Sequence, residues 1–218
     1  MLLGQTEPNR MQLDYEALET TPVSDTPFPH IVVENFVPVA DLAAVVSDLP
    51  EISRGGSFPT DSVRLGPAAA KLIEAIEGTQ LRDMIARKFG LDLHEAPTMV
   101  TLRGRARARD GQLHRDSEAK RVTVLLYLNP RTEDWARQEG CLRLLHGPDN
   151  LEDYAVEVSP VDGTLLAFPN GPTTWHGHRS FAGRRYVVQL NYMTASAKAR
   201  SELRRHKFSA FIKRLTAA

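Results

Sequence analysis

Between residues 97 and 193 the chain alternates short runs of β-branched and aromatic residues with clusters of Gly, Pro, Asn and Asp, and this rhythm limits what it can fold into. The runs lie at 98–103, 121–129, 141–145, 154–159, 164–168 and 184–192. Many short strands punctuated by turn residues predict an antiparallel sandwich or jelly roll. The flanking sequence reads differently. A β-prone run at 28–37 leads into apolar residues at helical spacing over 38–49, closed by Pro50. Residues 51–65 read as an exposed loop, 67–89 as one long or two short helices broken at Gly78, and 91–93 as a short strand.

With 218 residues the chain is long enough for one domain with a sizeable core. We expect a loosely ordered lead-in over 1–27 with one short turn near Tyr15 to Leu18, and a single domain over 28–218 with the β-rich core at about 97–193. The tail from 194 to 218 places Leu203, Phe208, Phe211, Ile212 and Leu215 at helical spacing among basic residues, which predicts a packed helix with a solvated cationic face.

The chemistry is concentrated at the edge of one strand run. His114-Arg115-Asp116 directly precedes the run at 121–129, and residues two apart in extended chain point the same way. An imidazole and a carboxylate so placed are able to share one ion. Two histidines and one carboxylate on one face of a divalent metal, with open positions opposite, is the donor set of non-haem Fe(II) oxygenases. The second histidine has two candidates 62 and 64 residues downstream, His176 and His178, just before the run at 184–192.

These motifs resemble those of the 2-oxoglutarate and Fe(II)-dependent dioxygenases, in particular the prolyl-4-hydroxylase-like branch. The correspondence runs through His114-Arg115-Asp116, Tyr127-Leu128-Asn129, Glu139-Gly140-Cys141-Leu142-Arg143-Leu144, Gly163-Thr164-Leu165-Leu166-Ala167-Phe168, His176 and Arg185, in that order. The resemblance implies an α+β, mainly β fold: a double-stranded β-helix (jelly roll) core with supporting N-terminal and C-terminal helices. It also implies Fe(II), 2-oxoglutarate as cosubstrate and O2, with His114, Asp116 and His176 as metal ligands and His178 as the alternative to His176. Arg185, nine residues after His176, is expected to anchor the far carboxylate of the cosubstrate, with Tyr127 donating a hydrogen bond to it. Arg184 is the rival, although its side chain should point to the opposite face. A guanidinium suits this role because its planar fork matches a carboxylate.

The activity so implied is hydroxylation of an unactivated carbon in a small metabolite, amino acid or peptidyl side chain, with release of succinate and CO2. Desaturation or cyclisation on the same scaffold, and a non-catalytic cupin-like module, are the alternatives. One departure is visible, because the family's Gly-Gly turn is here Glu139-Gly140-Cys141. Proline hydroxylation is therefore not implied.

Charge and composition limit the remaining classes. Twenty-seven basic and 27 acidic residues give a formal net charge of zero, which argues against a nucleic-acid or anionic-membrane partner. The one cysteine, Cys141, has no partner for an internal disulfide, and the N-terminus lacks the pattern of a signal peptide. A cytoplasmic protein is expected. Four arginines alternate at Arg103, Arg105, Arg107 and Arg109; they read as a solvated strand edge or loop, the alternative being an anion contact at the mouth of the site, where Arg103 would meet an acidic substrate group. Thr123, Leu125 and Asn191 are further candidates to line the pocket. His30 reads as structural and His146 as an exposed turn residue.

Overall fold

The β-prone runs become strands and the helical spacing becomes helices, with boundaries set by capping and turn chemistry. The computed structural model describes residues 11–131, 135, 137 and 139–206. Helix α1 (Tyr15–Thr20) starts where Asp14 accepts a hydrogen bond from the Ala17 N–H at 2.8 Å. Strand β1 (Ile31–Val33) is followed by α2 (Val39–Ser47), which buries Leu42 and Val45. A short β2 (Phe58–Pro59) and a 3-10 turn interrupt the loop expected over 51–65. Residues 67–89 form two helices, α3 (Pro67–Glu77) and α4 (Thr79–Phe89), because Gly78 adopts an extended conformation between them. Gly90 ends α4 in the left-handed region, φ 62°, where a side chain would be strained.

Seven further strands follow: β3 (Thr98–Ala106), β4 (Lys120–Tyr127), β5 (Leu142–Leu145), β6 (Tyr154–Val158), β7 (Leu165–Pro169), β8 (His176–Gly177) and β9 (Gly183–Met193). They form an antiparallel six-stranded sheet in the order β1-β7-β4-β9-β3-β2 and a three-stranded sheet in the order β6-β5-β8. Side chains alternate across the large sheet. Val122, Val124, Leu126, Val188, Leu190 and Tyr192 face the helical layer and join the main core with Leu72, Leu81 and Ile85. Tyr127, Leu166, Phe168 and Val187 face the small sheet and pack with Leu142, Leu144 and Val158. This is the two-sheet jelly-roll arrangement that the strand pattern predicts, with helices covering one outer face.

Three local expectations need correction. Residues 11–27 do not form a loose lead-in: Leu13 and Leu18 are buried in the main core, and Lys88 Nζ donates to the Glu19 and Thr21 carbonyls. The strand expected over 28–37 shortens to Ile31–Val33, since Asn35 turns the chain at φ 53°. Residues 91–93 are not a strand, because Leu91 N–H closes the end of α4 on the Ala86 carbonyl. In the tail, 197–206 is helical and Ala199 is buried beside Ala119 and Met193. Phe208, Phe211, Ile212 and Leu215 lie outside the described residues.

Candidate metal and cosubstrate site

Strands β4 and β9 lie side by side in the large sheet, so their inward residues share one space between the sheets. Thr123, Leu125 and Tyr127 point inward from β4, and Arg185, Val187 and Gln189 from β9. Together with His114, Asp116, His176 and His178 they line a cavity of about 100 Å³.

His114 and His176 are brought together by backbone pairing. The His114 N–H donates to the His176 carbonyl at 2.9 Å, and the His176 N–H donates to the His114 carbonyl at 3.0 Å. Each imidazole is oriented by a nearby carbonyl: His114 Nδ1 lies 2.7 Å from the Gln112 oxygen and His176 Nδ1 lies 2.9 Å from the Thr174 oxygen. The tautomer that satisfies both contacts puts the proton on Nδ1 and leaves the Nε2 lone pair free for a metal. The ring centroids are 4.5 Å apart.

Asp116 completes the set. One carboxylate oxygen accepts from Lys120 Nζ at 2.6 Å and the other from the Thr123 hydroxyl at 2.6 Å. The donor atoms of His114, Asp116 and His176 lie within 4.8 Å of one another, and these three are the group of this kind among the described residues. Burial alone would raise the Asp116 pKa, but Lys120, His176 and the Thr123 hydroxyl outweigh it and hold the carboxyl below its usual value. Burial, reinforced by the facing His114, pushes His176 down to about 4. At neutral pH the cluster thus offers a carboxylate and a neutral buried imidazole beside His114, the protonation states that a divalent cation requires.

His178 stands apart from this group. Its N–H donates to the Gly111 carbonyl at 2.8 Å, its Nδ1 lies 2.8 Å from the Arg179 carbonyl, and its ring covers Gly111. A Cβ on Gly111, which has φ +78°, would lie 2.0 Å from His178 Nε2. His178 therefore walls the cavity, packed against the loop that carries His114.

The two arginines part company as strand alternation requires. Arg185 is buried, donates from Nε to the Gly140 carbonyl at 3.0 Å, and holds its guanidinium carbon 5.5 Å from the Tyr127 ring centroid. Arg184 lies on the opposite face, exposed, 4.9 Å over the Tyr186 ring. The Tyr127 hydroxyl is buried without a hydrogen-bond partner, and burial pushes its pKa up to about 12 despite the nearby Arg185. A buried guanidinium next to a phenol hydroxyl without a partner offers two kinds of donor side by side, and a carboxylate is a group that accepts from both.

Some features were not read from the sequence. Lys120 clamps Asp116, and its signal is its position four residues on. Gln189 lines the cavity two residues beyond Val187, which strand periodicity makes accessible to prediction. Arg103 faces the cavity, whereas Arg105 does not, because a register shift between them reverses the alternation. Arg107 is tied to Asp110 at 2.8 Å. Asn191 lies beyond the cavity, in the adjoining cleft. His30 is buried with Nδ1 2.9 Å from the Phe28 carbonyl, and His146 is exposed.

Residues 104–193, which include all five candidate ligand and anchor residues, match the sequence family described as the 2OG-Fe(II) oxygenase superfamily. Over that stretch the chain is similar to this superfamily. Its enzymes are 2-oxoglutarate-dependent dioxygenases that use Fe(II), 2-oxoglutarate and O2. Among solved structures, a prolyl-4-hydroxylase from Pseudomonas putida is similar at TM-score 0.57 and 17% identity, over 88% of this chain and 98% of that one. A prolyl 4-hydroxylase from Phytophthora capsici gives TM-score 0.60 and 17% identity, over 95% of this chain and 78% of its own. At these identities the likeness is one of fold. No curated protein matches the sequence. Among the described residues, no helix is long and apolar enough to cross a membrane.

Proposed function

We propose that this oxygenase hydroxylates an unactivated carbon of a small metabolite, amino acid or peptidyl side chain, holding Fe(II) on His114, Asp116 and His176 and the cosubstrate's far carboxylate on Arg185 and Tyr127. The observation that carries the reading is convergence. A neutral-imidazole and carboxylate donor set and the buried Arg185 beside the unpartnered Tyr127 hydroxyl face one small cavity. The donors suit a first-row divalent ion, and the second pair suits a carboxylate. When bound, Fe(II) supplies the redox chemistry that couples decarboxylation of 2-oxoglutarate to succinate and CO2 with oxidation of the substrate by O2.

The protein's own residues position and neutralise. Thr123 and Lys120 orient the Asp116 carboxylate, and Lys120 offsets its charge. The Thr174 and Gln112 carbonyls fix the two imidazoles, as partners behind metal ligands do elsewhere. Arg185, held by the Gly140 carbonyl on a rigid strand, keeps its remaining donors directed at one carboxylate. Leu125, Val187 and Leu142 supply apolar walls that limit water. A cleft of about 350 Å³ adjoins the cavity, sharing Arg103, Lys120 and Gln189 with it, and leads outward past Thr101 and Asn191. Its polar lining suits a substrate with hydrogen-bonding groups, and Arg103 suits an acidic one.

The test is succinate formation from 2-oxoglutarate by the Fe(II)-loaded chain, alone and against a library of metabolites and peptides. Slow turnover that one compound stimulates is the expected result. No succinate under any condition would favour a non-catalytic ligand-binding module on the same scaffold.

A further inference from the structure

The face of the large sheet turned away from His176 carries a second, larger cavity. It measures about 770 Å³ and lies between α2 and the β3–β9 ladder. One wall is apolar, formed by Leu42, Val46, Leu49 and Ile52, and at its rim stands Val39, a large hydrophobic side chain left 68% exposed. Tyr186 lines it too, and its hydroxyl donates to the Pro50 carbonyl at 2.8 Å, which ties the sheet to the wall. Gly104 permits the close approach: a Cβ there would lie 2.6 Å from Ile52 Cβ and 2.9 Å from Tyr186 Cε1.

Two arginines and two carboxylates make up the charged lining of this cavity. After the register shift, Arg105 pairs across the ladder with Arg184, and both line the cavity. Like charges opposite one another on an antiparallel ladder are destabilising. Arg184 rests on the Tyr186 ring, and neither arginine forms an ion pair with a carboxylate among the described residues. Of the two carboxylates that line the cavity, Asp162 is engaged by Arg131 Nε at 2.9 Å, and Glu51 remains. Two arginines paired across the ladder thus line a largely apolar space whose volume falls within the roughly 300–1,000 Å³ typical of small-molecule sites.

We propose that this cavity is a second ligand site, separate from the metal site, that binds a small amphiphilic anion. A medium-chain carboxylate is the simplest member of that class. Its head group bridges Arg105 and Arg184 and so relieves their repulsion, and its chain lies along α2 over Leu42 and Val46. The bridging contacts are charge-assisted, and their number rather than the chain sets the preference for an anion.

Decanoate is the probe, titrated into the full chain by calorimetry. We expect one saturable site, weakened about tenfold or more by Arg105→Glu and likewise by Arg184→Glu, since each substitution removes a charge-assisted contact. Val46→Arg, which fills the apolar wall, should block binding while circular dichroism reports an unchanged fold. Saturating 2-oxoglutarate with Mn(II) should leave decanoate binding intact, because the metal cavity lies on the other side of the sheet. Three results would overturn the proposal: no saturable binding, equal affinity in the charge-reversed variants, or displacement by 2-oxoglutarate. None of these bears on whether the metal site turns over 2-oxoglutarate.

Discussion

Arg184 and Arg185 are neighbours in sequence yet serve opposite faces of one sheet, and only Arg185 is buried beside Tyr127. Arg185→Ala should raise the 2-oxoglutarate concentration for half-maximal turnover roughly 100-fold, since about two charge-assisted contacts are lost. Arg184→Ala should raise it far less; the reverse order in a steady-state titration would mean that the anchor is misassigned. Tyr127→Phe removes the orphaned hydroxyl and should weaken 2-oxoglutarate binding by about tenfold, read by calorimetry with Mn(II). The sign of its titration is favourable. With a pKa near 12, the phenol remains a neutral donor throughout the working range, and its contribution to stability declines only as pH rises from about 10 toward 12. Thr123→Val leaves Asp116 to Lys120 alone and should lower metal affinity, on the order of tenfold as for other partners behind metal ligands.

At the scale of elements, the site depends on a loop and two sheets held in fixed relation. The loop carrying His114 passes under His178 at Gly111, where φ is +78° and no side chain fits. Gly111→Ala should therefore displace His114 and reduce Fe(II) affinity more than His178→Ala does; competition with a chelating dye would show it. The small sheet is braced by Glu152, which accepts from Arg143 at 2.7 Å and from Arg179 at 2.6 Å. Its carboxyl is held down to about 2, chiefly by the Arg179 hydrogen bond. Because the folded value is depressed, its stabilisation is present above about pH 4.5 and is lost as pH falls toward 2. The midpoint of urea unfolding for Glu152→Gln should converge on that of the wild type across this window. A constant difference would mean the bridges contribute no stability. Alternation along the run at 184–192 made it legible that Arg185 and Arg184 face opposite ways. The same rule misleads at Arg103 and Arg105, since a register shift adds a residue that only Gly104 hints at. Leu91 and Leu93 have the composition of a strand, but Leu91 closes α4 and Leu93 is buried in the main core, roles that local pattern does not reveal.

Across the whole molecule, one sheet separates two chemistries. Its inner face carries the Arg185–Tyr127 pair and looks onto the donor set held by β8 and the loop before β4, and its outer face carries the helical core and the second cavity. The jelly roll and the His-x-Asp signal were legible because both are periodic and local. Spacing to Arg185 favours His176 in the sequence, with His178 kept as the alternative because both have the same parity; in the fold, backbone pairing brings His114 and His176 together. Lys120 and the packing of residues 11–27 onto α4 emerge only from the assembled fold. The central claim is that one cavity accepts Fe(II) and 2-oxoglutarate together. The most direct measurement is an anaerobic titration followed by visible absorption. We predict a weak band that requires both Fe(II) and 2-oxoglutarate and is lost in His176→Ala and Asp116→Ala. Fe(II) bound at full stoichiometry with no band on adding 2-oxoglutarate would contradict the account.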